Sequence, residues 1–116
     1  MNKTIIWHNP RCSKSRNALE LLEEKGVETE VVKYLDTPPA KEEIREVLKL
    51  LHISARELMR TKEDIYKELD LKNETDEDKL IDAMIENPKL IERPVVIKDG
   101  KAVIGRPIEK VLKLLA

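Results

Sequence analysis

Short apolar runs and apolar residues at helical spacing alternate along the chain and predict its elements in order. A continuous apolar run, Ile5-Ile6-Trp7, predicts a central strand over 4–7. Apolar residues at helical spacing predict a helix that includes 18–25, and a second strand is expected over 28–34. Strand, helix and strand in this order predict a β-α-β unit.

In the middle of the chain, about 37–87, apolar residues recur at helical spacing. Two short stretches, Ser54–Glu57 and Thr61–Asp64, have the spacing of a capping box and predict helix starts. A longer helix is expected to end at Asn87-Pro88, because proline stops a helix. We therefore predict a helical insertion here rather than a linker.

The last third of the chain returns to strands. Two apolar runs, 95–97 and 102–104, flank Asp99-Gly100, which is a strong signal of a tight hairpin. Pro107 then opens a final helix. The inner face of that helix is expected to carry Ile108, Val111, Leu112 and Leu115. The complete order of β-α-β, helical insertion and β-β-α predicts a thioredoxin-like α/β fold, with a single domain over 1–116.

Composition argues against several classes of function. The chain has 22 basic and 23 acidic residues, so its net charge of −1 gives no overall attraction to nucleic acid or anionic lipid. No stretch approaches the length of a membrane span, and the first apolar run is too short for a signal peptide. With two histidines and one cysteine, no metal site is suggested. We expect a monomer without a bound cofactor.

The one cysteine, Cys12, leaves no partner for an internal disulfide and is consistent with a reducing compartment, so a cytoplasmic location is expected. It lies in the loop between the first strand and the first helix. A lone cysteine is often an inert buried residue. Here the helix N-terminus and three nearby basic residues, Arg11, Lys14 and Arg16, favour a reactive thiolate.

Two polar neighbours of this cysteine allow more than one interpretation. His8 is either a surface residue at the end of the first strand, or a cation or hydrogen-bond donor that favours the Cys12 thiolate. Ser13 or Ser15 can cap the first helix, and the Ser15 hydroxyl could also donate to the sulfur. The spacing alone does not separate these roles.

The residues that follow Cys12 exclude two familiar thiol motifs. Ser15 stands where a C-x-x-C motif has its second cysteine, so the chain cannot cycle an internal dithiol. A phosphatase-type loop has an arginine six residues after its cysteine, where this chain has Ala18. Candidate oxyanion-binding residues therefore lie elsewhere, at Arg60, Arg93 and Arg106. From spacing alone these three are more simply surface charges, as Arg45 and Arg56 are expected to be.

Five short motifs follow one another along the chain. They are His8-Asn9-Pro10-x-Cys12-x-x-Ser15-Arg16, Leu58-Met59-Arg60, Leu80-Ile81-Asp82-x-Met84, Asn87-Pro88-x-Leu90-Ile91-x-Arg93-Pro94 and Gly105-Arg106-Pro107. Together they resemble the glutaredoxin-coupled arsenate reductase family, whose fold is thioredoxin-like and which belongs to an Spx-related superfamily. Ser13-Lys14 follows the cysteine where many members of that family have Gly-Thr, so Lys14 adds a positive charge at the site.

The resemblance implies an arsenate reductase in which Cys12 is the nucleophile. We expect its neighbours His8 and Ser15 to be further catalytic residues. It also implies that three arginines bind the oxyanion and that Pro94 follows a cis peptide bond. The three arginines are Arg60, Arg93 and Arg106. The implied partners are arsenate, glutathione as co-substrate, and glutaredoxin. The implied intermediate is an arsenate thioester of Cys12. The single cysteine excludes the three-cysteine, thioredoxin-coupled type of arsenate reductase.

Two other functions compete with this one. A related glutathione-dependent thiol oxidoreductase with a different substrate would need the same thiolate and similar anion contacts. A non-enzymatic, Spx-like regulator that binds RNA polymerase belongs to a different class. Regulators of that type usually carry a C-x-x-C redox switch, and Ser15 in place of the second cysteine argues against one here.

Overall fold

The computed structural model describes residues 4–115, and the chain divides into two compact units. The first unit takes the residues up to Thr37 and those from Arg93 onward, and the second unit is Pro38–Glu92. In chain order the elements are β1 (Thr4–Trp7), α1 (Ser13–Glu24), β2 (Thr29–Val32), α2 (Lys41–Leu51), α3 (Ala55–Leu58), α4 (Asp64–Glu68), α5 (Glu77–Glu86), β3 (Val95–Lys98), β4 (Lys101–Ile104) and α6 (Glu109–Leu115). Single 3₁₀ turns at Leu71–Asn73 and Pro88–Leu90 complete the second unit.

The first unit is built on a four-stranded mixed sheet with the strand order β2-β1-β3-β4. Strand β1 is parallel to β2 and antiparallel to β3, and β3 is antiparallel to β4. The predicted thioredoxin-like α/β class, with a β-α-β half and a β-β-α half around a helical segment, is confirmed. The two strands of the last hairpin are joined at Asp99 and Gly100, whose φ angles of +52° and +74° are those of a type I′ turn.

The core of the first unit lies on one face of this sheet. Ile6 of β1 and Val96 of β3 are directly opposite each other, and both are fully buried. Ala18 and Leu22 of α1 and Val111 of α6 pack against the same cluster. Helices α1 and α6 therefore cover the same face of the sheet.

One expected core position of α6 is wrong. The side chain of Leu112 is 41% exposed, whereas that of Val111 is fully buried. Successive residues of an α-helix point about 100° apart, so the inward position of Val111 turns its neighbour towards solvent.

The second unit is helical, and one of its two predicted capping boxes forms. The Ser54 side chain accepts a hydrogen bond from the Glu57 N–H, and the Glu57 carboxylate accepts one from the Ser54 N–H at 3.0 Å. The box predicted at Thr61 is wrong, because α4 begins after Glu63, which makes no side-chain cap. The Glu63 N–H instead closes a turn on the Arg60 carbonyl oxygen at 3.1 Å, which delays the start of the helix.

A short antiparallel bridge between Met59 and Ile91 joins the segment that follows α3 to the segment that follows the second 3₁₀ turn. Beside it, the Arg60 N–H donates to the Leu90 carbonyl oxygen at 2.7 Å, and the Glu92 N–H donates to the Leu58 carbonyl oxygen at 2.8 Å. The helical unit therefore extends beyond the segment of about 37–87 that the sequence pattern suggests. Within residues 4–115, no helix is both long enough and apolar enough to span a membrane.

Arg56 is a structural residue rather than the ordinary surface charge that its place in a helix suggests. Its guanidinium donates to the Tyr66 hydroxyl at 2.5 Å, to the Leu71 carbonyl oxygen at 2.8 Å and to the Glu74 carbonyl oxygen. Arg45 fits the expectation, since it is exposed and pairs with the exposed Asp78 at 2.8 Å.

Candidate active site

Cys12 occupies the N-cap position of α1, directly before the first helical residue. Its backbone is extended, with φ −95° and ψ 122°, and its N–H closes a turn on the Asn9 carbonyl oxygen at 3.0 Å. The expectation that Ser13 or Ser15 caps the helix is wrong, because this turn starts the helix at Ser13 and leaves the cap position to the cysteine. The Cys12 side chain is half-buried at the helix N-terminus.

The surroundings of the sulfur favour the thiolate. Burial alone would raise the pKa of the Cys12 thiol. The backbone N–H groups of Ser15 and Lys14, and the positive charge and hydrogen bonding of the Arg93 guanidinium, oppose this effect. The net result is a thiol pKa below its ordinary value, because these groups stabilise the negative sulfur more than burial destabilises it.

Ser15 and His8 form a buried pair beside the cysteine. The Nδ1 atom of His8 lies 2.6 Å from the Ser15 Oγ, and the two residues are 5% and 0% exposed. The Ser15 Oγ also accepts a hydrogen bond from the Asn9 N–H at 3.0 Å. The Ser15 hydroxyl therefore ties the end of β1 to the first turn of α1, and the backbone N–H of the same residue acts on Cys12.

His8 is not the surface residue that one interpretation proposed, and the structure does not favour the cationic alternative. Burial lowers the pKa of His8, and the positive charges of Lys33 and Arg16 lower it further. The imidazole is therefore neutral at neutral pH. Its contact with the Ser15 hydroxyl remains, and the tautomer of the ring decides which of the two groups donates.

Four exposed cations, which we call the basic rim, surround this end of the first unit. They are Arg11, Lys14, Arg16 and Lys33. Arg16 donates to the Pro10 carbonyl oxygen at 2.9 Å, which holds it over the loop. Sequence reasoning missed Lys33, although the parallel pairing of β1 and β2 gives the signal. The His8 N–H donates to the Val32 carbonyl oxygen at 2.8 Å, so the residue after Val32 lies beside His8.

Of the three arginines expected to bind an oxyanion, Arg93 lies close enough to Cys12 to interact with its thiol. Its guanidinium acts on the Cys12 sulfur by charge and by hydrogen bonding, and its Nε and Nη1 atoms are buried. The peptide bond between Arg93 and Pro94 is cis, and so is the bond between Arg106 and Pro107.

The other two candidate arginines lie in different parts of the chain. Arg106 is half-buried in the first unit, and Gly105 separates it from the end of β4. Arg60 belongs to the second unit, where its guanidinium pairs with the Glu63 carboxylate at 3.3 Å. Their roles in oxyanion binding stay predictions. Among residues 4–115, no three His, Cys, Asp or Glu side chains gather in a group that could hold a metal ion.

The fold and the site define a thioredoxin-like protein with one cysteine at a helix N-terminus, in surroundings that favour its thiolate form. The model of the ArsC family matches residues 7–114, nearly the whole chain. The chain belongs to the ArsC family.

Individual proteins also align with this chain over nearly its whole length. The chain is 59% identical to the uncharacterized protein YfgD of Escherichia coli (strain K12), over 99% of both proteins. It is 54% identical to an arsenate reductase of Neisseria meningitidis, over 99% of this chain and all of that protein. The solved structure of an arsenate reductase from Vibrio cholerae superposes with a TM-score of 0.92 at 48% identity, over 96% of each chain.

Proposed function

We propose that this protein is an arsenate reductase in which the Cys12 thiolate attacks arsenate, with glutathione and glutaredoxin as the reductants. The observation that carries the proposal is the environment of the sulfur. Cys12 is the N-cap residue of α1, and two backbone N–H groups and the Arg93 guanidinium stabilise its negative charge. A thiolate, rather than a thiol, is the nucleophile in such chemistry. The arsenate reductases that align over the whole chain support the choice of substrate.

The reaction begins when the Cys12 sulfur forms a bond to arsenic and one oxygen leaves as water. The thiolate of glutathione then forms a second sulfur–arsenic bond, and a second oxygen leaves as water. A glutaredoxin thiolate attacks the glutathione sulfur, so a disulfide forms while the electron pair of the broken bond stays on arsenic. This step reduces As(V) to As(III), and the proton of the glutaredoxin thiol ends on an arsenic-bound oxygen. Water then cleaves the last sulfur–arsenic bond, which releases arsenite and restores Cys12.

Oxyanion binding in this scheme falls to arginine. A guanidinium presents several N–H donors in one plane, which match two oxygens of a tetrahedral oxyanion at once. Arg93 is the best supported of the three candidates because it acts on the sulfur that attacks. We assign the same role to Arg106 and Arg60, on the resemblance to the family alone.

The need for outside thiols follows from the cysteine count. Cys12 is the one cysteine of the chain, so a second thiol for the two-electron reduction must come from another molecule. Glutathione carries two carboxylates, and the basic rim places four exposed cations around the site. This charge complementarity supports glutathione over a neutral thiol. Because the reaction consumes reduced thiols, we place it in the cytoplasm.

A coupled assay tests the proposal. Purified protein, arsenate, glutathione, glutaredoxin and glutathione reductase are combined, and arsenate-dependent oxidation of NADPH is followed. We expect turnover that disappears in Cys12→Ser and persists in Ser13→Ala, a matched change at the adjacent exposed residue. Omission of glutaredoxin should slow the reaction strongly. Turnover that survives in Cys12→Ser, or a wild-type protein that gives no arsenate-dependent signal, would contradict the proposal.

A further inference from the structure

Gly105 makes an unusually close backbone approach at the end of β4. A Cβ atom added to Gly105 would lie 2.9 Å from the Pro94 Cγ and 3.1 Å from the Val111 Cγ2. Contacts shorter than about 3 Å between carbon atoms lie well inside the optimal separation, so something must shift to admit the methyl group. The Gly105 N–H also donates to the Pro94 carbonyl oxygen at 2.8 Å. Gly105 is therefore held against Pro94 by a hydrogen bond and by the absence of a side chain.

An arginine lies next to each of the two residues in this contact. Arg93 directly precedes Pro94, and Arg106 directly follows Gly105. The residues Val95 and Ile104 next to the contact are paired across β3 and β4, and Val95 is fully buried. Pro94 is buried too, so it has little room to move away from an added methyl group. A displacement of Pro94 moves the backbone from which the Arg93 side chain starts.

We propose that Gly105 is a positioning residue. Because Gly105 has no side chain, Pro94 can lie close to it. This close contact holds Arg93 beside Cys12 and fixes the separation of Arg93 from Arg106. Gly105 touches neither the sulfur nor the oxyanion in this account. The inference uses the proposed function only in treating the thiolate as the nucleophile. Its test requires no arsenate, so a failure here is distinguishable from a failure of the proposed reaction.

The first experiment compares Gly105→Ala with the wild-type protein by the pH dependence of alkylation with iodoacetamide. Cys12 is the one cysteine, so the rate reports this thiol alone. The added methyl group should displace Arg93 and reduce the thiolate fraction. At pH 6 we expect alkylation to slow about threefold or more, since the thiolate is the reacting form. A folded Gly105→Ala protein whose alkylation profile matches that of the wild type would overturn the proposal.

Two control variants separate positioning from general destabilisation. Gly26 has a φ of +69°, and a Cβ atom added there would meet no atom within 4 Å. Gly26→Ala therefore strains the backbone beyond the end of α1 that is opposite to Cys12. It should leave the alkylation profile unchanged. Val111→Ala removes the second atom that a methyl group at Gly105 would meet. Combined with Gly105→Ala, it should restore much of the alkylation rate, because the methyl group can then move towards α6. An equal slowing in Gly26→Ala would overturn the proposal.

A measurement on the wild-type protein decides the question if Gly105→Ala does not fold. The chain has three glycines, whose amide signals are well separated by NMR from those of most other residues. The Gly105 amide signal should shift with pH at the same midpoint as the Cys12 thiol, and this shift should vanish in Cys12→Ser. The signals of Gly26 and Gly100 should not follow that titration. A Gly105 amide that does not respond to the thiol would overturn the proposal.

Discussion

The Nδ1 atom of His8 lies 2.6 Å from the Oγ of Ser15, and this buried contact joins the end of β1 to the first turn of α1. Ser15 also supplies one of the backbone N–H groups that lower the pKa of the Cys12 thiol. The same residue therefore holds the loop together through its side chain and stabilises the thiolate through its backbone.

Ser15→Ala is expected to destabilise the protein by about 1–3 kcal/mol, because it leaves the buried His8 nitrogen and the Asn9 N–H without their hydrogen-bond partner. The matched control is Ser13→Ala, two residues away on the exposed side of the same helix. Urea unfolding of both variants measures the effect. Equal stabilities for the two variants would show that the buried contact contributes nothing.

The lowered pKa of His8 predicts a loss of stability in acid. As the pH falls below about 6.5, the unfolded chain binds a proton at this residue while the folded protein still excludes it. The contribution of His8 to stability is therefore fully present above the pKa that this residue has in the unfolded chain. It is lost as the pH falls towards the pKa of His8 in the folded protein. His8→Gln should lose less stability than the wild type between pH 7.5 and pH 5.5, whatever its stability at neutral pH. The other histidine, His52, is common to both proteins and cancels.

Arg56→Met is expected to destabilise the protein by about 1.5–3 kcal/mol, since the guanidinium makes charged hydrogen bonds to two backbone carbonyls and one tyrosine hydroxyl. Arg45→Met is the control, because its exposed pair with Asp78 should contribute little. Thermal or urea unfolding distinguishes them. A loss of stability that is larger in Arg45→Met than in Arg56→Met would contradict this assignment.

Arg93→Ala is expected to weaken arsenate binding by about 1.5–3 kcal/mol, the usual contribution of a hydrogen bond to a charged group. Arsenate bound next to Cys12 should protect the thiol from alkylation, and the ratio of rates with and without arsenate gives the affinity. Arg93→Lys should recover part of the loss, since it keeps the charge but not the planar fork. An arsenate dependence that is the same in Arg93→Ala as in the wild type would remove Arg93 from the oxyanion site.

Local sequence signals were sufficient for most of the fold. The hairpin at Asp99-Gly100 depends on two adjacent residues that adopt positive φ, and the capping box at Ser54 depends on a partner three residues away. The position of Cys12 at the start of α1 follows from the same kind of short-range pattern. Such features can be predicted because each one is determined within a few residues.

The features that sequence reasoning missed depend on distant parts of the chain. The neutral state of His8 comes from burial and from Lys33, which the pairing of β1 and β2 brings beside it. The structural role of Arg56 comes from carbonyl groups 15 and 18 residues further along the chain. The close approach of Gly105 to Pro94 spans two strands. The local pattern of apolar and polar residues does not predict these contacts.

The state of the Cys12 thiol is the most direct test of the central claim, that the N-terminus of α1 and Arg93 hold this sulfur as a thiolate. The rate of alkylation is measured against pH for the native protein and for the same protein unfolded in urea. We predict a native midpoint clearly below that of the unfolded chain, which should titrate near the ordinary value of about 8.5. Native and unfolded midpoints that coincide, or a native midpoint above the unfolded one, would contradict the account.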